Sequence, residues 1–366
     1  MIKIYRNKNV WDETIDRLRY LFDEFPEVIV GVSGGKDSTV LYNLAMQVAE
    51  EKNRLPLKVM FIDQEAEWGH VISYMKTIME DPRVKPYWLQ IPIKLFNATS
   101  HTDYWLECWD ESEKDKWIHP KQSYSIQTNK YGTDRFADMF TKFIDVEFPN
   151  QKACYISGVR AEESPTRTVA LTDSSTYKHI TYGKKLNKKM EHYTFYPLYD
   201  WSYTDIWKAI HDNKWEYCKI YDYMYQYGIP PLQMRVSNVH HETSVHSLFF
   251  MHEIEGDTWN RLIARIPSIN ATKHIEKKQY FIPKELPYMF ESWKEYRDYL
   301  LNHLVEDIDV REKFRKKFDK LDEKYIHPLV NRRMMTVCIN TLILNDYHMT
   351  KIGNFERAPE SHAYWK

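Results

Sequence analysis

Four cysteines are scattered through the 366 residues, at Cys108, Cys154, Cys218 and Cys338, and no C-x-x-C pair occurs. That sparseness argues against a disulfide framework and against a dedicated zinc or iron–sulfur site, and points to reduced, buried thiols. Charge of one sign is missing as well. The formal net charge is −1, so no global field draws the chain to nucleic acid or to a membrane surface. The local basic runs, Lys184-Lys185 with Lys188-Lys189 and Arg311 to Lys320, read as solvated faces, with nucleic acid the other use of such runs. No apolar stretch approaches a membrane span, and the opening MIKIYRNKNVWDETIDRL has no signal-peptide core, so the expected location is cytoplasmic, without a membrane partner. Internal repeats and low-complexity segments are absent. The length suits two ordinary domains, or one α/β domain with a large extension. Aromatics, in contrast, are plentiful: 12 Trp and 27 Tyr suit packed cores or base-stacking platforms.

The stretch VIVGVSGGKDSTVL, residues 28–41, carries the strongest local signal. Val28, Ile29, Val30 and Val32 form a β-branched run that predicts a strand buried on both faces, and Ser38 to Glu51 predicts a helix with apolar positions at Leu41, Leu44, Ala45 and Val48. Between them stands the loop Ser33-Gly34-Gly35-Lys36-Asp37. Two glycines let backbone amides close around an anion, and the helix N-terminus adds partial positive charge. Lys36 contributes a full charge, while Ser33 and Ser38 contribute hydroxyls. The combination predicts a phosphate cradle. The Walker A spacing G-x-x-x-x-G-K-[ST] is absent.

Along the chain, Trp11 to Phe25 predicts an amphipathic helix, LKVMFIDQE a second strand, Trp68 to Met79 a helix, Tyr87–Ile91 a strand, Asp134–Phe148 a helix, and ACYISGV another strand. This alternation predicts an α/β fold with a doubly wound, mostly parallel sheet, whose ligands sit beyond the C-terminal strand ends. Residues 97–133 interrupt it with an insertion rich in Trp and charge, either a lid or recognition segment or surface decoration. From Ile254 onward the pattern is helical, with Trp259, Leu262, Ile263 and Ile266, then Trp293, Tyr296, Leu300 and Leu304, then Phe314, Phe318, Leu321 and Tyr325. The expected domains are therefore residues 1–250, nucleotide-binding, and residues 251–366, helical.

Other candidate residues cluster at strand ends. Asp63 closes the second strand, as a site carboxylate or a helix N-cap. Glu65 and Glu67 follow, facing either the site or solvent. In SGVRAEESPTRTVAL, residues 157–171, Gly158 permits close backbone approach, and Arg160 with Arg167 suits a clamp for phosphate, sulfate or carboxylate oxygens. Glu162 and Glu163 would orient those arginines or help bind Mg²⁺, unless the whole stretch is a surface salt-bridge network. Ser202 is placed to cap the helix holding Asp205, Ile206 and Trp207, with Asp200 tethering the loop before it. His240, His241, His246 and His252 lack the H-E-x-x-H helix spacing; they read as hydrogen-bonded histidines or as a metal site.

Three ordered motifs carry a family resemblance. The loop S-G-G-K-D-S resembles the PP-loop of the N-type ATP pyrophosphatase and adenine-nucleotide α-hydrolase superfamily, and residues 157–167 resemble the G-[IV]-R-A-x-E-S-x-x-R signature of phosphoadenosine-phosphosulfate reductase relatives. YPLYDWSYTDIWKAI, residues 196–210, resembles their P-L-x-D-W-x-x-x-D-[IV]-W segment. The resemblance implies ATP or a related adenine nucleotide with Mg²⁺, cleavage of the α–β phosphate linkage, and adenylyl transfer to an unidentified acceptor. It assigns Ser33, Gly34, Gly35, Lys36, Asp37, Ser38, Asp63, Gly158 and Glu163 to nucleotide binding, Lys36, Asp37, Arg160 and Arg167 to catalysis, and Asp37 to the metal, with Asp63 bordering adenine and ribose. The chain departs from the reductases in having no cysteine in YGIPPLQMRVSN or in the tail NFERAPESHAYWK, so neither thiol-based sulfate reduction nor an iron–sulfur cluster is expected. MRVSNVHHETSVHSL, TWNRLIARI and ESWKEYRDYLL resemble the Ibr-A-type branch, which couples a PP-loop domain to a C-terminal helical domain. Members of that branch are often described as co-activators of prophage gene expression. This resemblance implies a second reading: a nucleotide-responsive regulator acting with a protein or nucleic-acid partner, phage- or prophage-associated.

Overall fold

The computed structural model describes residues 7–100, 102–172, 177–187, 189–236, 238–241, 245–274 and 285–357. Two compact units emerge: Met1–Leu95 with Glu107–Asn238, and Phe96–Leu106 with Val239–Lys366.

The first unit is built on strands β1 (Glu27–Gly31), β2 (Leu57–Ile62), β3 (Val84–Leu89), β6 (Ala153–Ile156), β7 (Gly183–Lys185) and β8 (His192–Phe195). They form one sheet in the order β3-β2-β1-β6-β8-β7, parallel except for the antiparallel edge strand β7. Two further strands, β4 (Ile93–Phe96) and β5 (Trp105–Cys108), pair in a ribbon of their own. The central strand is apolar because both faces are covered: Val28, Ile29 and Val30 are buried, and Ile29 lies in register with Lys58 on one side and Tyr155 on the other. Helices α1 (Val10–Glu24), α2 (Lys36–Glu51), α3 (Gly69–Met79), α4 (Phe136–Glu147), α5 (Pro165–Thr172), α6 (Tyr203–Asn213) and α7 (Ile220–Gln226) complete the unit. Chain order runs outward from β1 through β2 to β3, then restarts on the other side with β6 and β8. The strand order therefore reverses beside β1, and the crevice beyond β1 and β6 is the topological switch point where such sheets hold ligands.

The second unit is helical in its described residues outside the 96–106 segment: α8 (Val245–Ile254), α9 (Gly256–Arg265), α10 (Trp293–Leu304), α11 (Ile308–Lys324), α12 (Pro328–Ile343) and α13 (Thr350–Arg357). Leu301, Phe314, Phe318, Leu321, Met334 and Ile339 lie at its core, with Phe96 and Tyr104 packed against it. A buried guanidinium, Arg297, sits over the Phe318 ring and is paired with Asp298 and Asp322. That pairing satisfies a charge that would otherwise be prohibitive to bury.

The insertion expected at residues 97–133 is divided between the units. Its later part is no loose decoration. Trp109 is fully buried, and Ile126 extends the β3 edge through a parallel bridge to Leu89.

Candidate functional site

The loop after β1 turns at Gly34, whose φ of +72° suits a residue without a side chain. A Cβ there would also stand 2.8 Å from Val71 Cγ1 on α3. Gly35 is the N-cap of α2 and has no side-chain cap. The Lys36 amide donates to Tyr221 Oη at 3.1 Å, and the Ser33 amide to Ser38 Oγ at 3.2 Å. Among the described residues no protein acceptor is found for the amides of Gly34, Gly35, Asp37 and Ser38. Orphan donors at a helix N-terminus are an anion site in waiting. The Lys36 ammonium is buried, 3.1 Å from the Asp37 carboxylate and over the Tyr221 ring. Burial, then the Asp37 charge, pushes the Tyr221 phenol up, so it stays protonated.

The second motif docks on the first. Gly158 follows β6, and a Cβ there would stand 2.9 Å from the Asp37 carbonyl carbon and oxygen and 3.0 Å from the Ser38 nitrogen. The close approach foreseen at Gly158 is thus to the loop backbone. Two residues on, Arg160 Nε donates to Asp37 Oδ1, while Nη1 donates to Glu162 Oε2 at 2.9 Å and to the Trp201 carbonyl at 3.3 Å. Arg160 is 4% exposed. In this geometry it ties the loop to the start of α6, where Glu162 also accepts from the Tyr203 amide at 2.7 Å. Glu163 accepts from the Arg160 amide at 3.0 Å and pairs with Arg167. Burial, then the charge of Arg235, draws Arg167 below its ordinary value. Ser202 caps α6 in a reciprocal box with Asp205, and Asp200 receives a two-pronged bond from Arg17.

Beyond β2, Asp63 is fully buried. Its carboxylate accepts from Trp88 Nε1 at 2.8 Å, Gln90 Nε2 at 3.0 Å and the Glu65 amide at 3.0 Å, and lies 3.3 Å from His119 Nε2. Burial opposes charge on His119, but the facing Asp63 outweighs it and raises the imidazole above its ordinary value. The Asp63 carbonyl accepts from Trp109 Nε1, and Glu65 accepts from the Trp109 amide. Of the two orientations open to Glu65 and Glu67, the structure excludes the solvent-facing one: they are 0% and 3% exposed. Burial, reinforced by Asp63, holds the Glu67 carboxyl well above the usual range. Tyr221 and His119 were not picked out by sequence reasoning. Their partners lie far along the chain, and no local pattern marks them.

In the second unit, His240 is fully buried with both ring nitrogens unpartnered, and burial, then His241, lowers it to about 3. His252 is tilted against Trp259. The His246 side chain and residues 242–244 lie outside the described residues. Among the described residues there is no group of three or more His, Cys, Asp or Glu side chains that could hold a metal. No helix there is long and apolar enough to cross a membrane.

A parallel sheet with a glycine-lysine loop at its switch point and an arginine motif on the next strand defines a nucleotide-loop α/β protein. The profile of the phosphoadenosine phosphosulfate reductase domain matches residues 27–227, and the chain belongs to that family. A domain of unknown function, DUF3440, matches residues 228–357. Among curated proteins, the chain is 27% identical over 313 residues to the uncharacterized protein YbdN of Escherichia coli (strain K12), covering 81% of this chain and 76% of that one. It is 21% identical over 207 residues to the adenosine 5′-phosphosulfate reductase of Anoxybacillus flavithermus, covering 56% and 72%. Among solved structures, FMN adenylyltransferase of Candida glabrata with ATP aligns at 17% identity and TM-score 0.36, over 60% of this chain and 62% of that one. The chain thus spans about three fifths of that enzyme's length. A phosphoadenylyl-sulfate reductase of Candida auris aligns at 12% identity and TM-score 0.33, over 61% and 94%.

Proposed function

We propose that the protein binds ATP or a related adenine nucleotide at the loop, cleaves its α–β linkage and transfers the adenylyl group to an acceptor. The observation that carries this reading is the loop itself: unpartnered amides of Gly34, Gly35, Asp37 and Ser38 at the start of α2, with the Lys36 ammonium beside them. Membership of the reductase-domain family supports an adenine nucleotide as the anion's owner. In the transfer, an acceptor atom bonds to the α-phosphorus as the bridging bond to the β-phosphate breaks, and pyrophosphate leaves with the electron pair. Lys36 and the glycine amides stabilise charge developing on that leaving group. Tyr221 holds the first turn of α2, and Arg160 holds Asp37. Asp37 has Oδ1 on Arg160 and Oδ2 on Lys36, so it would serve as a single oxygen ligand for Mg²⁺ carried on the phosphates only once Lys36 turns from it to the phosphates. When bound, that ion would neutralise phosphate charge.

Calorimetric titration with ATP and Mg²⁺, paired with pyrophosphate release in the presence of candidate acceptors, tests the reading. Lys36→Ala removes a charge-assisted contact and is expected to lose about 1.5–3 kcal/mol of nucleotide binding. Gly35→Val blocks the backbone approach and is expected to weaken binding too. Unchanged affinity in both variants would remove the loop from the site. Binding without turnover on any acceptor would favour the regulator that acts with a protein or nucleic-acid partner.

A further inference from the structure

Asn238 is 6% exposed, and its Oδ1 is buried without a hydrogen-bond partner among the described residues. A buried acceptor left unpaired costs the desolvation of the group, so it marks a place where a donor is due. The other end of the same amide is engaged: Nδ2 donates to Gln64 Oε1 at 2.7 Å. Gln64 is half-buried, and among the described residues no bond is found for its Nε2. Two carboxamides joined by one hydrogen bond therefore leave a free acceptor on Asn238 and a free donor on Gln64.

The pair stands beside the nucleotide loop. Val236, just before it in the chain, packs at Gly35, where an added Cβ would meet Val236 Cγ2 at 3.4 Å. The chain from Val236 to Asn238 spans about 7 Å at most. Gln64 lies just beyond β2, the strand next to β1, and its backbone is fixed: the Asp63 amide donates to the Leu89 carbonyl at 3.0 Å, and the Gln64 carbonyl accepts from the Ala66 amide at 2.6 Å and from Cys108 Sγ at 3.2 Å. On the β6 side of the loop, Gly158 stands against the Asp37 backbone and Arg160 gives its donors to the protein. A nucleotide held by its phosphates at the loop thus meets filled space on the β6 side and the amide pair on the β2 side.

Resting on the reading of the loop as the pyrophosphate end of a nucleotide site, we propose that Asn238 and Gln64 read the base: Asn238 Oδ1 accepts from the adenine 6-amino group, and Gln64 Nε2 donates to adenine N1. Adenine carries a donor and an acceptor side by side on that edge, the complement of the pair. Guanine carries the reverse, an acceptor at O6 and a donor at N1, and sets acceptor against acceptor and donor against donor. A site built to bond one edge rejects the other because its buried polar groups are left unpaired. Asn238 lies in the part of the chain matched by the second profile, so the segment after the reductase domain supplies a determinant of which nucleotide is bound.

ATP, GTP and purine riboside triphosphate, which lacks the 6-amino group, are titrated calorimetrically into wild type, Asn238→Ala and Gln64→Ala, with circular dichroism to verify folding. Inorganic pyrophosphate, which has no base, reports on the loop alone. Wild type is expected to bind ATP about tenfold more tightly than GTP and about fivefold more tightly than purine riboside triphosphate. In Asn238→Ala the second difference is expected to vanish, because the amino group has lost its acceptor. In Gln64→Ala the preference for ATP over GTP is expected to fall about threefold or more, with pyrophosphate binding as in wild type. Gln64 is half-buried, so its variant carries the comparison where Asn238→Ala fails to fold. ATP binding with no preference over GTP in wild type, or with the same preference in wild type and Gln64→Ala, overturns the base-reading pair and leaves the loop standing. Failure of both ATP and pyrophosphate to bind wild type overturns the nucleotide reading, and the pair with it.

Discussion

Glu67 carries a carboxyl that is 3% exposed, beside the charge of Asp63, and burial holds it well above the usual carboxylate range. Its folded-state value lies above the unfolded one, so the folded protein keeps a proton that the unfolded chain releases near its ordinary pKa of 4.5. The stability contributed by this group is full below that pH and falls by about 1.4 kcal/mol per pH unit as pH rises toward the folded-state value. Glutamine has the shape of the protonated acid and no proton to lose. Glu67→Gln is therefore expected to match wild type in urea midpoint at pH 4, below the unfolded value of 4.5, and to exceed it at pH 8. His119 works in the same direction, since its raised value gives stability that is complete below pH 6.5 and is lost as pH climbs through the folded-state value. Because both proteins in the comparison retain His119, its contribution cancels and the difference isolates Glu67. Equal midpoints at pH 8 would mean that the carboxyl is ionised in the folded protein.

The loop and the turn after β6 act as one element, because Gly158 lets two backbones meet. Alanine there would place a methyl 2.9 Å from backbone atoms of Asp37, which cannot rotate away as a side chain can. Gly158→Ala is expected to cost about 1–3 kcal/mol, the usual range for overpacking, read as a lower urea midpoint, and to weaken ATP binding by displacing Asp37 and Ser38. An unchanged midpoint and affinity would show that the turn yields without disturbing the loop. Local chemistry made much of this element legible. The β-branched run announces β1, the glycine pair with Lys36 announces the loop, and Ser202 with Asp205 announces the cap of α6. What stayed hidden was pairing at long range. Asp63 meets Trp88 25 positions away, and its carbonyl meets Trp109 46 positions away. No periodicity encodes such partners, which is why the burial of Glu65 and Glu67 and the role of residues 109–119 at the end of β2 were open from sequence.

Across the whole molecule the four thiols occupy separate places: Cys108 ends β5, Cys154 lies inside β6, Cys218 precedes α7 and Cys338 sits in α12, all of them buried. Burial pushes Cys154 well above the ordinary thiol value and Cys338 up to about 12, so neither is a thiolate near neutral pH. Reduction of a sulfonucleotide by a thiol needs an accessible thiolate to attack sulfur and a route by which a second thiol releases the product. The Anoxybacillus relative is named a reductase, so reductase activity is the outcome to test against. Wild type is expected to release no sulfite from adenosine phosphosulfate or phosphoadenosine phosphosulfate with thioredoxin, above a control without enzyme. A variant with all four cysteines changed to alanine, screened for folding by circular dichroism, is expected to keep wild-type ATP affinity. Alanine at four buried sites removes little volume, and where the combination fails to fold, the four single variants carry the same comparison. Sulfite release that disappears in the cysteine-free protein, or in any folded single variant, would overturn the expectation and return the chain to the thiol chemistry of the reductases.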